Sequence, residues 1–432
     1  MERRQDSALL GRFKGVIDEE RLNEIGKRVG FCERLREVTP YRLAISALST
    51  LSCTTTETLA DLHRGFSALF GGRVAYKPFH NQLRKEEFPV FMRQVACELI
   101  GKLAVKVLRV KSGAPFSEFS EIVIQDGSSF AVKDSLSRVF PGRFTAVSPA
   151  AVEVHVSMNL LEGSAQNVTV TADTEGEREH LPDAATLEGK LLLADRGYFS
   201  CEYIDELNEE GASFIIRAKS SINPLILSAV TADGKVLKHF HGKRLKEVSL
   251  SKQQSIDLEV EWETKEGDVC CRLIVVWNPT HKVFNYFVTN LSFQRYSVKD
   301  VLAAYRLRWQ IELLFKEWKS YANLHSFDTS QAPIVEGMIW AALAAATIKR
   351  YLAHATQLIT GVEISTRKVA MCAVHVLLEV FVALVKKSPY RLLLAWRHAI
   401  KYFASQAKRA HPTRDRKSGR LAVGLVPIGA AA

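Results

Sequence analysis

The chain has 432 residues, 47% of them hydrophobic, with 58 Lys and Arg against 47 Asp and Glu. A net charge of +11 and a pI near 9.2 make a polyanion the expected large partner. The length is ample for roughly two to four cored domains. The seven cysteines form no Cys-x2-Cys pair and no zinc-spaced cluster, which fits reduced thiols in a cytoplasmic protein and not a disulfide framework. The first ten residues have no apolar signal core. The longest apolar run, 337–348, is short for a bilayer and lies between Glu336 and Lys349, so no membrane partner is expected.

Residues 1–115 read as a helical domain. Thr54 to Glu57 has the spacing of a capping box ahead of Leu59, Leu62 and Phe66. Gly71-Gly72 breaks the pattern, and a second helix begins near Tyr76 with Pro78 in its first turn. Helix, glycine break and basic helix is the outline of a helix-turn-helix, which would turn Lys77, His80, Asn81, Arg84 and Lys85 toward DNA. An ordinary helical bundle with a basic face fits equally well.

Ser112 to Pro115 reads as a linker. Residues 116–219 then alternate strands (121–126, 151–158, 167–172, 190–195, 213–217) with helices at 178–187 and 201–210. That rhythm predicts an α/β layered domain with a mixed sheet. Residues 220–290 read as an all-β insertion. Ile256, Leu258, Val260 and Trp262 alternate with Asp257, Glu259, Glu261 and Glu263, a turn follows at 265–268, and the chain returns over 272–277 and 284–289. Residues 291–358 carry two helices, the second Ala-rich over 334–352. Residues 359–432 are helical again and end in a basic tail over 408–417.

The stretch from Tyr305 to Lys319 reads as one helix with two chemical faces. At about 100° per residue, Tyr305, Arg308, Glu312 and Lys319 share a stripe roughly 60° wide, beside an apolar stripe of Leu307, Ile311, Leu314 and Trp318. A carboxylate between two cations and a phenol suits a metal held by Glu312 and phosphates held by Arg308 and Lys319. A surface helix with Glu312 paired to Arg308 or Lys316 also fits. Asp126 and Asp195 each end an apolar strand and each precede a glycine. Alone, either is a common turn. Two strand-end aspartates and one helical glutamate can converge at the edge of a sheet on a hard cation such as Mg²⁺ or Mn²⁺. Two such ions can drive phosphoryl transfer.

With these motifs the chain resembles the bacterial insertion-sequence transposases of the DDE type, in the subgroup with a Tyr-x2-Arg-x3-Glu-x6-Lys signature. Tyr305, Arg308, Glu312 and Lys319 fill every position of it. Asp126-Gly127-Ser128 matches the first aspartate motif, and Asp195-Arg196-Gly197-Tyr198 the second. Phe214 to Arg217 and Phe287 to Asn290 add to the likeness, which covers about 120 to 350. The resemblance implies a ribonuclease-H-like catalytic domain interrupted by a β insertion, with Asp126, Asp195 and Glu312 as ligands of two Mg²⁺ or Mn²⁺ ions. It implies cleavage at the inverted-repeat ends of a DNA element and joining of the freed 3′-hydroxyls to target DNA, by a homodimer on paired ends. Tyr305, Arg308 and Lys319 would grip phosphates. A flipped base would stack on Tyr286 or Trp277, although packing within a strand explains either residue as well.

Other residues have simpler readings. His155 suits a sheet-face histidine, and Arg217 and Lys219 suit either DNA contact or a solvated strand end. Ser128 and Ser129 lack a partnered base, which excludes a serine nucleophile. The rival functions are a metal nuclease that cuts without joining and a non-catalytic DNA-binding regulator of transposition.

Overall fold

The computed structural model describes residues 2–53, 58–264, 267–321, 329–410, 419 and 423–428, with side chains from residue 5 onward. The chain opens with six helices: α1 (Glu2–Val16), α2 (Glu19–Arg28), α3 (Pro40–Cys53), α4 (Leu59–Phe70), α5 (Tyr76–Leu83) and α6 (Glu87–Leu103). Then come β1 (Leu108–Val110), β2 (Ile122–Ala131), β3 (Ala151–Asn159), β4 (Ser164–Ala172), β5 (Leu191–Ala194), α7 (Cys201–Glu209) and β6 (Ser213–Ala218). Four strands follow: β7 (Leu225–Thr231), β8 (Ile256–Glu263), β9 (Asp268–Asn278) and β10 (Val283–Thr289). The last third is α8 (Val298–Arg306), α9 (Trp309–Tyr321), α10 (Ala332–Thr360), α11 (Thr366–Cys372), α12 (Leu377–Val385), α13 (Pro389–Gln406) and β11 (Leu425–Pro427).

Nine strands form one mixed sheet in the order β4-β3-β2-β5-β6-β10-β9-β8-β7. β2, β5 and β6 run parallel, and the other pairs are antiparallel. The short strands β5 and β6 are apolar on both faces, as parallel strands covered on both sides must be. β8 alternates as its sequence does. Its apolar residues join a second core with Leu192, Phe214 and Ile216. The strands of 220–290 hydrogen-bond onto β6 through β10, so they continue the core sheet and do not form a sheet of their own. A buried fork ties this half to the next helix: Arg272 holds Asp257 at 2.9 and 2.7 Å and also donates to the carbonyls of Leu291 and Tyr296, just before α8.

The first and last helical regions share one core. Rings of Phe13, Tyr351 and Trp396 pack together, and Trp396 Nε1 donates to Asp6 Oδ1 at 2.7 Å. α10 lies at the centre. It is long and apolar enough to cross a bilayer, yet it is packed against α3, α6 and α13. β11 returns to pair with β1, the short strand that follows the first six helices.

Three sequence expectations change, and one lies outside the described residues. The helix expected over 178–187 is replaced by two 3₁₀ turns, Glu177–His180 and Ala184–Leu187. Pro182 between them has no N–H to continue a helix and holds Leu181 extended. The capping box at 54–57 falls outside the described residues, and α4 instead starts on a box formed by Thr58 and Asp61. Strand β2 does not turn at Asp126-Gly127 but runs on to Ala131. The stretch 305–319 is two helices, not one: i→i−3 bonds from Leu307, Arg308, Gln310 and Ile311 tighten the junction between α8 and α9. Because that junction still winds like a helix, Leu307, Ile311, Leu314 and Trp318 remain buried together.

Candidate active site

Asp126 is brought to the site by register. On β2 it lies opposite Val156 of β3, and opposed residues share a face. Val156 belongs to the core that also holds Ile311 and Leu314 of α9, so Asp126 projects toward the α8–α9 junction. There Arg308 Nη1 donates to Asp126 Oδ2 at 2.5 Å, and Arg308 Nη2 donates to Glu312 Oε1 at 2.6 Å. Tyr305, at the end of α8, donates its hydroxyl to Asp195 Oδ1 at 3.1 Å, just after β5. Arg217 from β6 reaches within 3.9 Å of the same oxygen and donates to Asn285 Oδ1. Lys319 Nζ donates to the Ser129 carbonyl at 2.6 Å, tying α9 to the far end of β2. Arg308 therefore bridges Asp126 and Glu312, while Asp195 is held beside them by Tyr305 and Arg217.

The electrostatics follow from that crowding. Burial pushes the Asp126 carboxyl up to about 6; Arg308 and the Gly127 N–H oppose the rise, and Asp195 and Glu312 add to it. Burial works against the Arg308 charge, but Asp126, Tyr305, Asp195 and Glu312 outweigh it and hold the group above its ordinary value. Burial, with Asp195 beside it, pushes the Tyr305 phenol up. Burial lowers Lys319, against the pull of Glu153.

Both motif glycines have steric reasons. A Cβ on Gly127 would sit 2.5 Å from Glu153 Oε1 and 3.3 Å from His155 Nδ1. A Cβ on Gly197 would collide with the Glu177 carboxylate. These contacts reveal a polar layer on the opposite face of β2, which sequence reasoning glimpsed only at His155. Arg143 holds Glu153 at 3.1 Å, and the Arg143 N–H donates to Asp173 Oδ2 at 2.8 Å. His155 stacks on His180 with centroids 3.9 Å apart and meets Thr171 Oγ1 at 3.1 Å. Burial, with Glu177 and Asp173 beside it, outweighs Arg143 and raises Glu153 to about 7, while burial lowers His155 to about 4. The signal was present in β3: Glu153, His155 and Ser157 alternate with valines in a strand buried at every position.

The remaining candidates lie elsewhere. Tyr286 is 9% exposed and packed in the second core, so its ring is not presented for stacking. Trp277 is partly open, edge-on to Phe284 and beneath Lys252. In α5, Lys77 is exposed and Arg84 is exposed at its C-cap. Lys85 turns inward, donating to the Phe31 carbonyl at 3.0 Å over the Phe31 ring, which opposes its reading as a DNA contact. Ser129 is bonded to Asp173 and has no base.

Asp126, Asp195 and Glu312 are hard oxygen donors, the type that Mg²⁺ and Mn²⁺ prefer. Among the described residues, no three His, Cys, Asp or Glu groups are placed to hold a metal ion. By donor type the set fits a divalent cation, while Arg308 occupies the space between Asp126 and Glu312.

Residues 117–348, more than half of the chain, match the family model described as the transposase DDE domain. The chain belongs to the DDE-domain transposases. It is 23% identical over 356 residues to the transposase for insertion sequence element IS1151 of Clostridium perfringens, covering 72% of this chain and 73% of that one. It is 22% identical over 366 residues to the transposase for insertion sequence element IS231C of Bacillus thuringiensis subsp. berliner, with 75% of each covered. Among solved structures, the piggyBac transposase in a synaptic complex with hairpin DNA aligns over 94% of this chain and 86% of that one, at 11% identity and a TM-score of 0.46. The protein is thus a DNA transposase of the bacterial insertion-sequence kind, from a family whose chemistry depends on divalent metal.

Proposed function

We propose that this transposase cuts the inverted-repeat ends of its element and joins the freed 3′-hydroxyls to target DNA, using Asp126, Asp195 and Glu312 as ligands of two Mg²⁺ or Mn²⁺ ions. One observation carries the reading: carboxylates 69 and 117 residues apart in sequence, on β2, after β5 and on α9, are held by two neighbouring residues of one helical junction, Arg308 taking Asp126 and Glu312 and Tyr305 taking Asp195. When bound, the ions would activate the attacking oxygen and stabilise the leaving one. The chain's own residues orient the DNA. Tyr305, Arg308 and Lys319 present a phenol and two cations along one edge, suited to the phosphates beside the scissile bond. Asp126, Asp195 and Glu312 would hold the ions, and Arg308, released from its carboxylates, would be free to hold a phosphate.

On this reading β4-β3-β2-β5-β6 is a ribonuclease-H-like core, with β7 to β10 as its insertion and the signature subgroup that of Tyr305, Arg308, Glu312 and Lys319. The working form is a homodimer on paired ends, acting in the bacterial cytoplasm. Of the two aromatics on the insertion, Trp277 is the better placed to stack on a flipped base. The test is strand transfer from precut end duplexes with Mg²⁺. Joined product from the wild type and none from Glu312→Gln is expected. No joined product from the wild type would reduce the protein to a nuclease at most, and joined product from Glu312→Gln would remove that residue from the site.

A further inference from the structure

A second feature borders the catalytic residues. A cleft of about 1080 Å³ runs from Tyr305 and Arg308 to α11 and the segment after α13. Among the described residues, Arg306, Arg308, Arg367, Lys368 and Arg409 line it, and no acidic residue does. Arg306, Arg367 and Lys368 have no carboxylate within ion-pair distance among the described residues. Arg367 instead reaches the Tyr321 hydroxyl at 3.2 Å, and Lys368 Nζ the Lys408 carbonyl at 2.8 Å. The lining also includes Trp309, Leu313 and Met371, which are 57%, 46% and 49% exposed. Large apolar side chains left open beside unneutralised cations do not suit water, nor the sugar–phosphate exterior of a duplex. They suit a strand whose phosphates meet the cations while its unpaired bases cover the apolar surface.

We infer that this cleft binds an unpaired stretch of DNA leading from the active site, and that α11 and Arg409 thereby belong to the DNA-binding surface. Arg367, Lys368 and Arg409 lie beyond the matched catalytic domain, so the inference gives the C-terminal helices a role in handling substrate. It rests on the transposase reading, since the strand must come from a DNA end held at Asp126, Asp195 and Glu312.

The experiment compares binding of two end duplexes by the full chain without divalent metal: one blunt, one with a short unpaired flap. The wild type should prefer the flapped end. Arg367→Gln with Lys368→Gln should remove about tenfold of flap affinity and lower the salt slope on that DNA by about 1.4, the share of two single-strand phosphates. Binding to the blunt end should stay unchanged. Trp309→Ala should lose flap preference without changing the salt slope. Equal losses on both DNAs, or none on either, would overturn the assignment. If ends are joined normally but no flap preference exists, the cleft inference alone fails. If flap preference survives but the wild type never cuts an end, it is the catalytic reading that fails, and with it the origin of the strand assigned to the cleft.

Discussion

The two halves of the sheet use the same strand alternation and obtain different chemistry from it. In β8 every second residue is polar, and Glu259 and Glu263 point into solvent, where carboxylates are easily accommodated. In β3 every second residue is also polar, but the 3₁₀ turn at 177–180 covers that face through the stack of His180 on His155. There the same alternation buries Glu153 and His155, and burial shifts the proton affinity of each. Strand β2 lies between two demanding surroundings. Asp126 faces the arginine of the α8–α9 junction, and Gly127 makes room for Glu153 on the other side. A short loop over one face separates a scaffold strand from a functional one.

The sharpest way to break this contrast is to remove one carboxylate from each half. Glu312→Gln should lower end cleavage about a thousandfold or more, as expected when several kcal/mol of charge stabilisation are lost. Glu259→Gln, on exposed β8, should leave cleavage and stability nearly unchanged. Comparable losses would erase the distinction. The β7–β10 half does have one demanding pair, and Arg272→Met should cost about 3–5 kcal/mol in unfolding free energy, because Asp257 stays buried without its partner. Denaturant melts would reveal it, and a loss below about 1 kcal/mol would show that the fork contributes little.

A smaller effect concerns pH. Glu153 binds its proton more tightly in the fold than when unfolded, so its contribution to stability is complete below pH about 4.5 and is lost as pH rises through about 7. Glu153→Gln should flatten stability over that window, measured by melts of the metal-free chain; an unchanged slope would contradict the burial argument. Smallest of all, Lys319→Ala should weaken end binding and reduce the salt slope by about 0.9, one duplex phosphate. An unaltered slope would confine Lys319 to its bond with Ser129.

Much of this was legible in the chain. Nearly all strands of 116–290 follow from alternation and apolar runs, and the three carboxylates follow from their motifs. What local pattern could not show was set by distant partners. β7 was missed because its pairing with β8 defines it more than its own residues do. The break at Leu307 and Arg308 has no proline or glycine to announce it. The inward turn of Lys85 depends on Phe31, 54 residues away, and the burial of Tyr286 depends on Ala218 and Val275 across the sheet. Arg308 reads as a phosphate ligand in sequence, but in the fold it bridges Asp126 and Glu312.

The central claim is that Asp126, Asp195 and Glu312 share divalent metal. Mn²⁺ binding to the full chain with a precut end duplex, followed by electron paramagnetic resonance, tests it most directly. Asp126→Asn, Asp195→Asn and Glu312→Gln should each lose bound Mn²⁺ while still binding the duplex. Full Mn²⁺ occupancy in all three variants would place the metal elsewhere and contradict the account.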